Sequence, residues 1–264
     1  TCPTRSSPVR PHMNIFSDDY VVFDYETGGF LDTPGGRPVE VGMLQYVGGV
    51  AKIHSHLVNP RADGDERFVI SLDAEKIHGI GHDMLDDAGW HPEKSSSVLL
   101  RGLGDELPVW THNGVKFDFK LMIEECRRFG LSPIPQARWR DTAALYKGWK
   151  VGKYPSDFAN LVSFMDAALN VRRRGLYFSL THLTAELDLG VKLFNEAGNP
   201  ITNKDEHVAG WEVSPELGIP EDQLAKVESL GLHRAPFDCV VTHALVQWCK
   251  KELAELFEGV PDEA

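Results

Sequence analysis

The sequence has few cysteines and no long apolar run, and each shortage excludes a class of protein. Its four cysteines fall in no metal-ligand spacing and in no disulfide framework. No apolar run approaches the roughly 20 residues that a membrane-spanning helix needs, and the N-terminus lacks the apolar segment of a secretion signal. We therefore expect an intracellular protein, most simply a cytoplasmic one, that does not engage a membrane.

Basic residues are also scarce. Lysine and arginine number 27 against 39 aspartates and glutamates, for a formal net charge of -12. This balance argues against a protein that coats nucleic acid through a broad basic surface. It is compatible with an enzyme that holds divalent cations in an acidic pocket and its substrate with local basic residues. We interpret the basic run Arg172–Arg174 as a solvated helix end, with contact to a phosphate backbone as the alternative.

The chain shows no internal repeat or low-complexity tract, and 264 residues suffice for one large domain. Residues 1–12, rich in proline, serine and arginine, are expected to form a leader or a disordered arm. Residues 13–264 are expected to form a single domain. The polar, turn-rich segment 190–232 is interpreted as an insertion into it, either a hairpin or a substrate lid.

Apolar patterning predicts strands first and a strand–helix alternation afterwards. The first three strands are predicted at 21–25, 39–47 and 50–58, and Gly48-Gly49 between the last two is a hairpin signal. Two more strands are predicted at 107–111 and 137–142. Helices are predicted at 71–80, 82–88, 92–103, 116–129, 156–170, 179–189 and 236–257. This order indicates an α/β sheet covered by helices.

Two carboxylates one residue apart, Asp24 and Glu26, end the first predicted strand, and Gly28 and Gly29 stop it. Because strand side chains alternate between faces, both carboxylates point the same way. Two like charges at the end of a buried strand require a cation, a shared proton or a wet setting. A hard divalent metal is the best single explanation; an ordinary solvent-facing strand end is the alternative.

Two further carboxylates and a histidine occur later in the chain. Asp118 is expected at the start of a helix, close to its buried stripe, where the helix dipole favours the ionised form. Asp238 opens the last helix on the face that must pack inward, so its carboxylate requires a partner. His233 lies in the loop entering that helix, where it can lean over the same pocket.

These stretches resemble the three motifs of the DEDDh 3′–5′ exonucleases, the DnaQ-like family that includes proofreading exonucleases, RNase T and oligoribonuclease. FDYETGG at 23–29 is similar to the first motif, HNGVKFDFKLM at 112–122 to the second and HRAPFD at 233–238 to the third. KIHGI at 76–80 resembles a further family segment. The resemblance implies an RNase H-like fold: a central mixed five-stranded sheet, with its first three strands antiparallel, flanked by helices.

The resemblance also implies a reaction and its residues. Nucleoside 5′-monophosphates would be released from the 3′ end of a single-stranded nucleic acid, with His233 as general base. Two Mg²⁺ ions, replaceable by Mn²⁺, would be held by four carboxylates: Asp24, Glu26, Asp118 and Asp238. Oxygen-only ligation suits these metals. Substrate contacts are expected at Thr27, Gly28, His78, Ile80 and Asn113.

The nature of the substrate and of any partner stays open at this point. DNA is the preferred substrate, and an RNA-trimming or oligoribonucleotide-degrading exonuclease is the first alternative. The second alternative is a proofreading or scaffolding subunit that binds a polymerase or another replication or repair protein, with segment 190–232 and the acidic surface as docking elements. The oligomeric state, the strandedness and the processivity are not predicted.

Overall fold

The fold is described from a computed structural model, over residues 15–202 and 207–257. The arm predicted at 1–12 lies outside these residues. The chain opens with three antiparallel strands: β1 (Tyr20–Thr27), β2 (Pro38–Val47) and β3 (Val50–Leu57). Gly48 and Gly49 close the β2–β3 hairpin with φ values of 59° and 81°, which glycine adopts without strain. The predicted hairpin is confirmed.

Two short strands complete the sheet. They are β4 (Val109–Thr111) and β5 (Trp139–Asp141), and the strand order is β3-β2-β1-β4-β5. β4 pairs with β1 in parallel, and β5 pairs with β4 in parallel. The mixed five-stranded sheet is therefore confirmed. Because β1 and β4 run the same way, the loops that follow them emerge at the same end of the sheet.

Helices cover both faces of the sheet, and residue parity on β1 decides which face each side chain joins. Val21, Phe23 and Tyr25 pack in one core cluster, against α3 (Pro92–Leu103) and α4 (Asp118–Phe129). The shorter α1 (Leu72–His78) and α2 (His82–Ala88) precede these helices in the chain.

The side chains on the other face of β1, which include Tyr20 and Val22, pack in a larger core cluster. This second layer is built on the 23-residue α9 (Ala235–Phe257). The layer also contains three shorter helices, which are α5 (Thr142–Val151), α6 (Leu161–Leu169) and α7 (Leu180–Glu186). Asp24 and Glu26 share this parity, so β1 directs both carboxylates towards the layer that contains α9.

Several predicted boundaries differ from the structure, and three of the differences have a clear physical reason. The predicted strand 137–142 ends at Asp141, because the Asp141 carboxylate caps α5 by accepting from the N–H groups of Ala143 and Ala144. The helix over 142–151 was not predicted. α4 begins at Asp118 rather than at residue 116, since residues 114–116 form a 3₁₀ turn. α6 begins at Leu161, after its cap Asn160, rather than at residue 156.

Segment 190–232 contains an antiparallel hairpin, β6 (Val191–Phe194) with β7 (Gly210–Val213), followed by α8 (Glu221–Leu230). The segment lies along the outer edge of β3. Ala51 N donates to Gly218 O over 2.9 Å, and Ile53 N donates to Gln223 Oε1 over 3.1 Å. These bonds satisfy groups of an edge strand that would otherwise be unpaired. No helix within the described ranges is long and apolar enough to cross a membrane.

Candidate active site

Three carboxylates meet where the end of β1 faces the start of α9. Asp24, Glu26 and Asp238 each offer one oxygen, and these oxygens all lie within 4.8 Å of one another. All three residues are half-buried. Asp24 and Glu26 converge because they are two apart on a strand, whereas Asp238 arrives from more than 200 positions away in the chain. The fold thus concentrates negative charge at one point.

A glycine on β2 lets α9 approach the sheet. Gly42 is the residue paired with Asp24 across the β1–β2 ladder. A Cβ atom at Gly42 would lie 2.4 Å from the carbonyl carbon of Ala235, far inside van der Waals contact. The absence of a side chain at this position therefore permits the first turn of α9, and with it Asp238, to lie against Asp24.

Gly42→Ala is expected to separate Asp238 from the other two carboxylates, because the clash is with backbone that cannot rotate away. Overpacking of this kind costs about 1–3 kcal/mol, and displacement of a reacting group by about 1 Å can cost 10²-fold in rate. We expect weaker Mn²⁺ binding by calorimetry and a roughly 10²-fold loss of any metal-dependent activity. Gly210→Ala is the matched control, since nothing lies within 4 Å of its added Cβ; equal effects of both changes would refute the steric argument.

A buried ion pair also fixes the start of α9. Arg234 donates from Nε and Nη2 to the two oxygens of Glu40, over 2.9 and 2.6 Å. Glu40 additionally accepts from Ala235 N over 3.0 Å. Both side chains are almost fully buried, and Glu40 pairs with Glu26 across the ladder. The sequence analysis missed this pair; a glutamate inside the apolar run of β2 was the available signal, because a buried carboxylate requires a partner.

Asp118 lies beside this group rather than within it. Its Oδ1 accepts from Tyr25 N over 3.1 Å and its Oδ2 from Thr111 Oγ1 over 3.4 Å. The side chain is therefore held between β1 and β4. A Cβ at Gly114 would lie 2.3 Å from Asp118 Oδ2, so the turn before α4 packs over this carboxylate only because residue 114 is glycine.

A second buried aspartate organises the loop between β4 and α4. Asp141 accepts from Asn113 N over 3.0 Å and from Val115 N over 3.1 Å, besides capping α5. Asn113 itself has a φ of 59°, a left-handed conformation that asparagine tolerates better than most residues. Asp141 was not among the predicted site residues. It holds the loop that leads into Asp118, and no motif signalled this role.

The electrostatics of the cluster favour proton or cation binding. Burial raises the pKa of Glu26 to about 9, helped by repulsion from Asp238 and Glu40. Burial raises the pKa of Asp118 to about 7 and that of Asp238 to about 7. For Asp24, burial followed by repulsion from Asp118 and Asp238 raises the pKa well above its usual range. Without a cation, the native protein therefore resists full ionisation of these groups.

The donor set suits a hard divalent cation. The three converging atoms are all carboxylate oxygens, and Asp118 adds a fourth carboxylate next to Asp24. No cysteine contributes: Cys239 is buried, and burial raises its thiol pKa well above the usual value. Oxygen-only sites of this kind match Mg²⁺ and Mn²⁺ better than zinc. A bound cation would compensate the mutual repulsion that raises the pKa values.

His233 occupies the turn into α9 in a left-handed conformation, with a φ of 54°. Such a backbone conformation is uncommon for a residue other than glycine, asparagine or aspartate. The residue is exposed, and partial burial of the ring together with nearby His207 lowers its pKa. The ring is therefore neutral near pH 7 and able to accept a proton.

The five predicted substrate residues fall into two groups. Thr27 ends β1, and Gly28 and Asn113 lie in the loops that follow β1 and β4, on the side of the carboxylates. His78 is turned inward: Ile80 N donates to its Nδ1 over 3.0 Å, so its Nε2 carries the proton and donates to Thr27 O over 3.2 Å. Ile80 is fully buried with Val39, Phe68 and Leu85. In this conformation His78 positions Thr27, and Ile80 belongs to the core.

Exposed apolar side chains surround the Thr27–Gly28 loop. Ser71 N donates to Gly28 O over 2.7 Å, which joins this loop to the start of α1. Phe30 is 77% exposed, and Leu72 and Ile77 of α1 are 83% and 61% exposed. Such exposure is unusual for large apolar groups that have no binding role. The sequence analysis did not select Phe30, although an aromatic residue just after the first acidic motif was the signal.

The strand order and the helical layers define the RNase H-like exonuclease fold. Solved structures of E. coli exonuclease I share it. The zinc-bound complex with single-stranded DNA matches with a TM-score of 0.56 and 16% identity, over 91% of this chain and 42% of that chain. The metal-free complex matches with a TM-score of 0.54 and 16% identity, over 91% of this chain and 41% of that chain. The complex with a dA16 oligonucleotide matches with a TM-score of 0.52 and 16% identity, over 91% of this chain and 42% of that chain.

These comparisons confirm the fold that the three motifs implied. At 15–16% identity the likeness concerns the fold alone. This chain spans about 42% of the length of the exonuclease I chains that it matches. No protein-family model and no curated protein sequence matches the chain.

Proposed function

We propose that this protein is a metal-dependent 3′–5′ exonuclease that removes nucleoside 5′-monophosphates from the 3′ end of single-stranded DNA. The observation that carries the proposal is the convergence of Asp24, Glu26 and Asp238, with Asp118 beside them. These are the four acidic positions of the DEDDh motifs, and the chain has the fold of the corresponding nucleases.

The four carboxylates would hold two Mg²⁺ ions, which Mn²⁺ can replace. Two ions, when bound, offset the negative charge that phosphodiester hydrolysis builds on the attacking and leaving oxygens. The chain itself fixes the carboxylates. Gly42 and the Arg234–Glu40 pair hold Asp238 against β1, and the bond from Tyr25 N orients Asp118. This preorganisation avoids the cost of gathering like charges during the reaction.

His233 would take a proton from the attacking water. A general base must be neutral before the step, and the lowered pKa of His233 keeps it so near pH 7. Its place in the turn before α9 puts it five residues from Asp238, at the entrance of the helix rather than in the core. The proton would pass from the water oxygen to a ring nitrogen as the oxygen attacks phosphorus. The bond from phosphorus to the 3′-oxygen of the preceding nucleotide would break, and that oxygen would take a proton from solvent.

Thr27 and Gly28 would border the terminal nucleotide at the end of β1, and Asn113 would border it from the β4 side; the N–H of Gly28 itself donates to Arg37 O over 3.2 Å. DNA is favoured over RNA because several solved neighbours are complexes with single-stranded DNA. Binding of single-stranded DNA is seen in those proteins and is extended to this chain as part of the proposal. No described contact favours a polymerase partner over substrate binding alone.

Phe30→Ala is expected to raise the KM for a single-stranded oligonucleotide about tenfold and to change kcat less. The exposed Phe30 ring offers a stacking surface for a base, and one stacked base contributes about 1–3 kcal/mol. Steady-state hydrolysis of a labelled oligonucleotide measures both constants. Leu256→Ala is the control, since Leu256 is a large apolar residue that is 42% exposed near the end of α9 and has no proposed role in substrate binding. An unchanged KM in Phe30→Ala would exclude base stacking on Phe30.

The proposal as a whole is tested by digestion of end-labelled DNA and RNA, single- and double-stranded, with Mg²⁺ or with EDTA. We expect a ladder shortened from the 3′ end, fastest on single-stranded DNA and abolished by EDTA. Faster digestion of RNA than of DNA would instead support the alternative, an RNA-trimming enzyme. Internal cleavage products, or activity that persists in EDTA, would contradict the proposed reaction.

A further inference from the structure

A basic pocket lies between the turn before α4, the helix α5 and the segment that follows α6. It has a volume of about 490 Å³, and its lining contains five cations and no carboxylate. These cations are Lys116, Lys147, Arg172, Arg173 and Arg174. In a chain with a net charge of -12, such a concentration of positive charge requires an explanation. The proposed hydrolysis makes no use of it.

Lys147 shows that the pocket is more than a solvated surface. Its side chain comes from α5 and the residue is only 3% exposed. The ammonium donates to Leu169 O over 2.8 Å and lies 4.3 Å from the centre of the Phe178 ring. An ammonium group has three protons to donate, and a buried cation is costly without a counter-charge. Burial followed by repulsion from Lys116 lowers the pKa of Lys147.

The other four cations form no ion pair with an acidic side chain of the described residues. None of the ion pairs formed within the described part of the chain includes Lys116 or any of the three arginines. Lys116 Nζ donates to Asn170 Oδ1 over 2.5 Å, and Arg173 Nη1 donates to Lys150 O over 3.4 Å. Arg172, Arg173 and Arg174 are exposed. The cluster therefore has unused positive charge available for an anion.

The pocket adjoins the loop that carries Asp118. Lys116 belongs to the turn that immediately precedes Asp118 and α4. His112, at the start of this loop, contacts Phe178 O over 2.5 Å, and Phe178 lines the pocket. The pocket is therefore connected to the carboxylates through the loop that leads into Asp118.

We propose that this basic pocket binds the phosphate backbone of the single strand, 5′ of the nucleotides in the active site. The inference rests on the proposed function, because it takes the occupant to be the substrate strand. A flexible polyanion suits a pocket whose cations come from a turn, a helix and a loop, since successive phosphates can reach successive cations. Exposed Tyr177, next in the chain to Phe178, adds an aromatic surface of the kind that single-strand sites combine with basic grooves.

The test is the salt dependence of binding, measured by fluorescence anisotropy in EDTA so that hydrolysis does not interfere. The probe is a labelled single-stranded oligodeoxynucleotide of about 15 residues, within the range of known single-strand site sizes. The variant is Arg172→Gln/Arg173→Gln/Arg174→Gln, whose exposed positions make loss of folding improbable. Each lost phosphate contact reduces the slope of log K against log salt by about 0.7. We expect a reduction of about 2, and at least tenfold weaker binding at low salt.

A charge-matched control is available on the opposite side of the molecule. Lys52→Gln/Arg101→Gln/Lys226→Gln removes the same charge from a groove between β3, α3 and α8. The proposal predicts a nearly unchanged slope for this control. It also predicts that the arginine variant cleaves a dinucleotide normally in Mg²⁺, because a dinucleotide is too short to reach the pocket.

Equal slopes in the two triple variants, or an unchanged slope in the arginine variant, would overturn the proposal. The proposal would also be overturned if the arginine changes weakened the binding of poly-glutamate but not the binding of the oligonucleotide. The pocket would then serve an acidic peptide. Failure of the proposed function is distinguishable. The unmodified protein could bind the strand with a steeper slope of log K against log salt than the arginine variant, yet never hydrolyse it. That result would support the binding pocket and contradict the exonuclease assignment.

Discussion

His233→Ala is expected to lower the rate of hydrolysis about 10²–10⁴-fold, the usual contribution of a general base. The lowered pKa of His233 keeps its ring neutral at pH 7, so removal of the ring removes the proton acceptor. The ring accepts no hydrogen bond from, and forms no ion pair with, another described residue. The fold and the carboxylates should therefore be unaffected. Single-turnover hydrolysis of a labelled oligonucleotide measures the rate, and calorimetric titration with Mn²⁺ measures metal affinity.

The contrast with the carboxylates makes this result specific. Asp24→Asn should lose metal affinity and hydrolysis together, because its carboxylate lies in the group of three. His54→Ala is the matched control: His54 is an exposed histidine on β3 whose pKa is also lowered, by burial and by Lys52. It should retain full activity. A fully active His233→Ala protein would exclude this histidine from the mechanism, and a loss of Mn²⁺ binding would assign it a different role.

The second large effect is on stability. In EDTA, the free energy of unfolding is expected to fall as pH rises from 6.5 to 9, by on the order of 3 kcal/mol. Asp118 and Asp238 have native pKa values of about 7, and that of Glu26 is about 9. In the unfolded chain these groups ionise near pH 4. Between those values the native state binds more protons, so stability is present at low pH and is lost as pH rises.

Mg²⁺ should remove most of this loss. A cation that binds the ionised carboxylates stabilises the native state by mass action, and more strongly at high pH, where protons do not compete. Urea unfolding at pH 6.5 and at pH 9, each with EDTA and with Mg²⁺, measures the effect. Asp24→Asn removes one of the repelling charges and should flatten the dependence in EDTA. Metal-free stability that rises with pH over this range would contradict the assigned pKa shifts.

The sequence analysis found the sheet and the acidic residues through local patterns. Apolar alternation and Gly48-Gly49 located the first three strands within a few residues, because hairpin turns and strand periodicity are short-range properties. The same periodicity placed Asp24 and Glu26 on one face. The helix over 142–151 escaped prediction because residues 137–142 were assigned to a strand, so that Asp141 was not recognised as a helix cap.

The residues that assemble the site were less visible. Gly42 reads as an ordinary strand residue, and only its 2.4 Å approach to Ala235 shows why a side chain is excluded. Arg234 and Glu40 are 194 positions apart, so their pairing has no local signal. His78 and Ile80 were expected to contact substrate, yet both side chains are buried. Burial depends on how α1 packs against the Thr27 loop, which a motif does not reveal.

The sequence by itself determined which chemical groups this protein possesses: four carboxylates and a histidine in motif order, and an α/β sheet to hold them. Strand periodicity and helix capping operate over a few residues, so they can be recognised in one dimension. Only the tertiary structure decided that three of the carboxylates converge within 4.8 Å while Asp118 lies beside them. It alone brought Lys116 and Lys147 into one pocket with the three consecutive arginines. Charge and packing act through space, and distances across the fold are set by contacts between residues far apart in the chain.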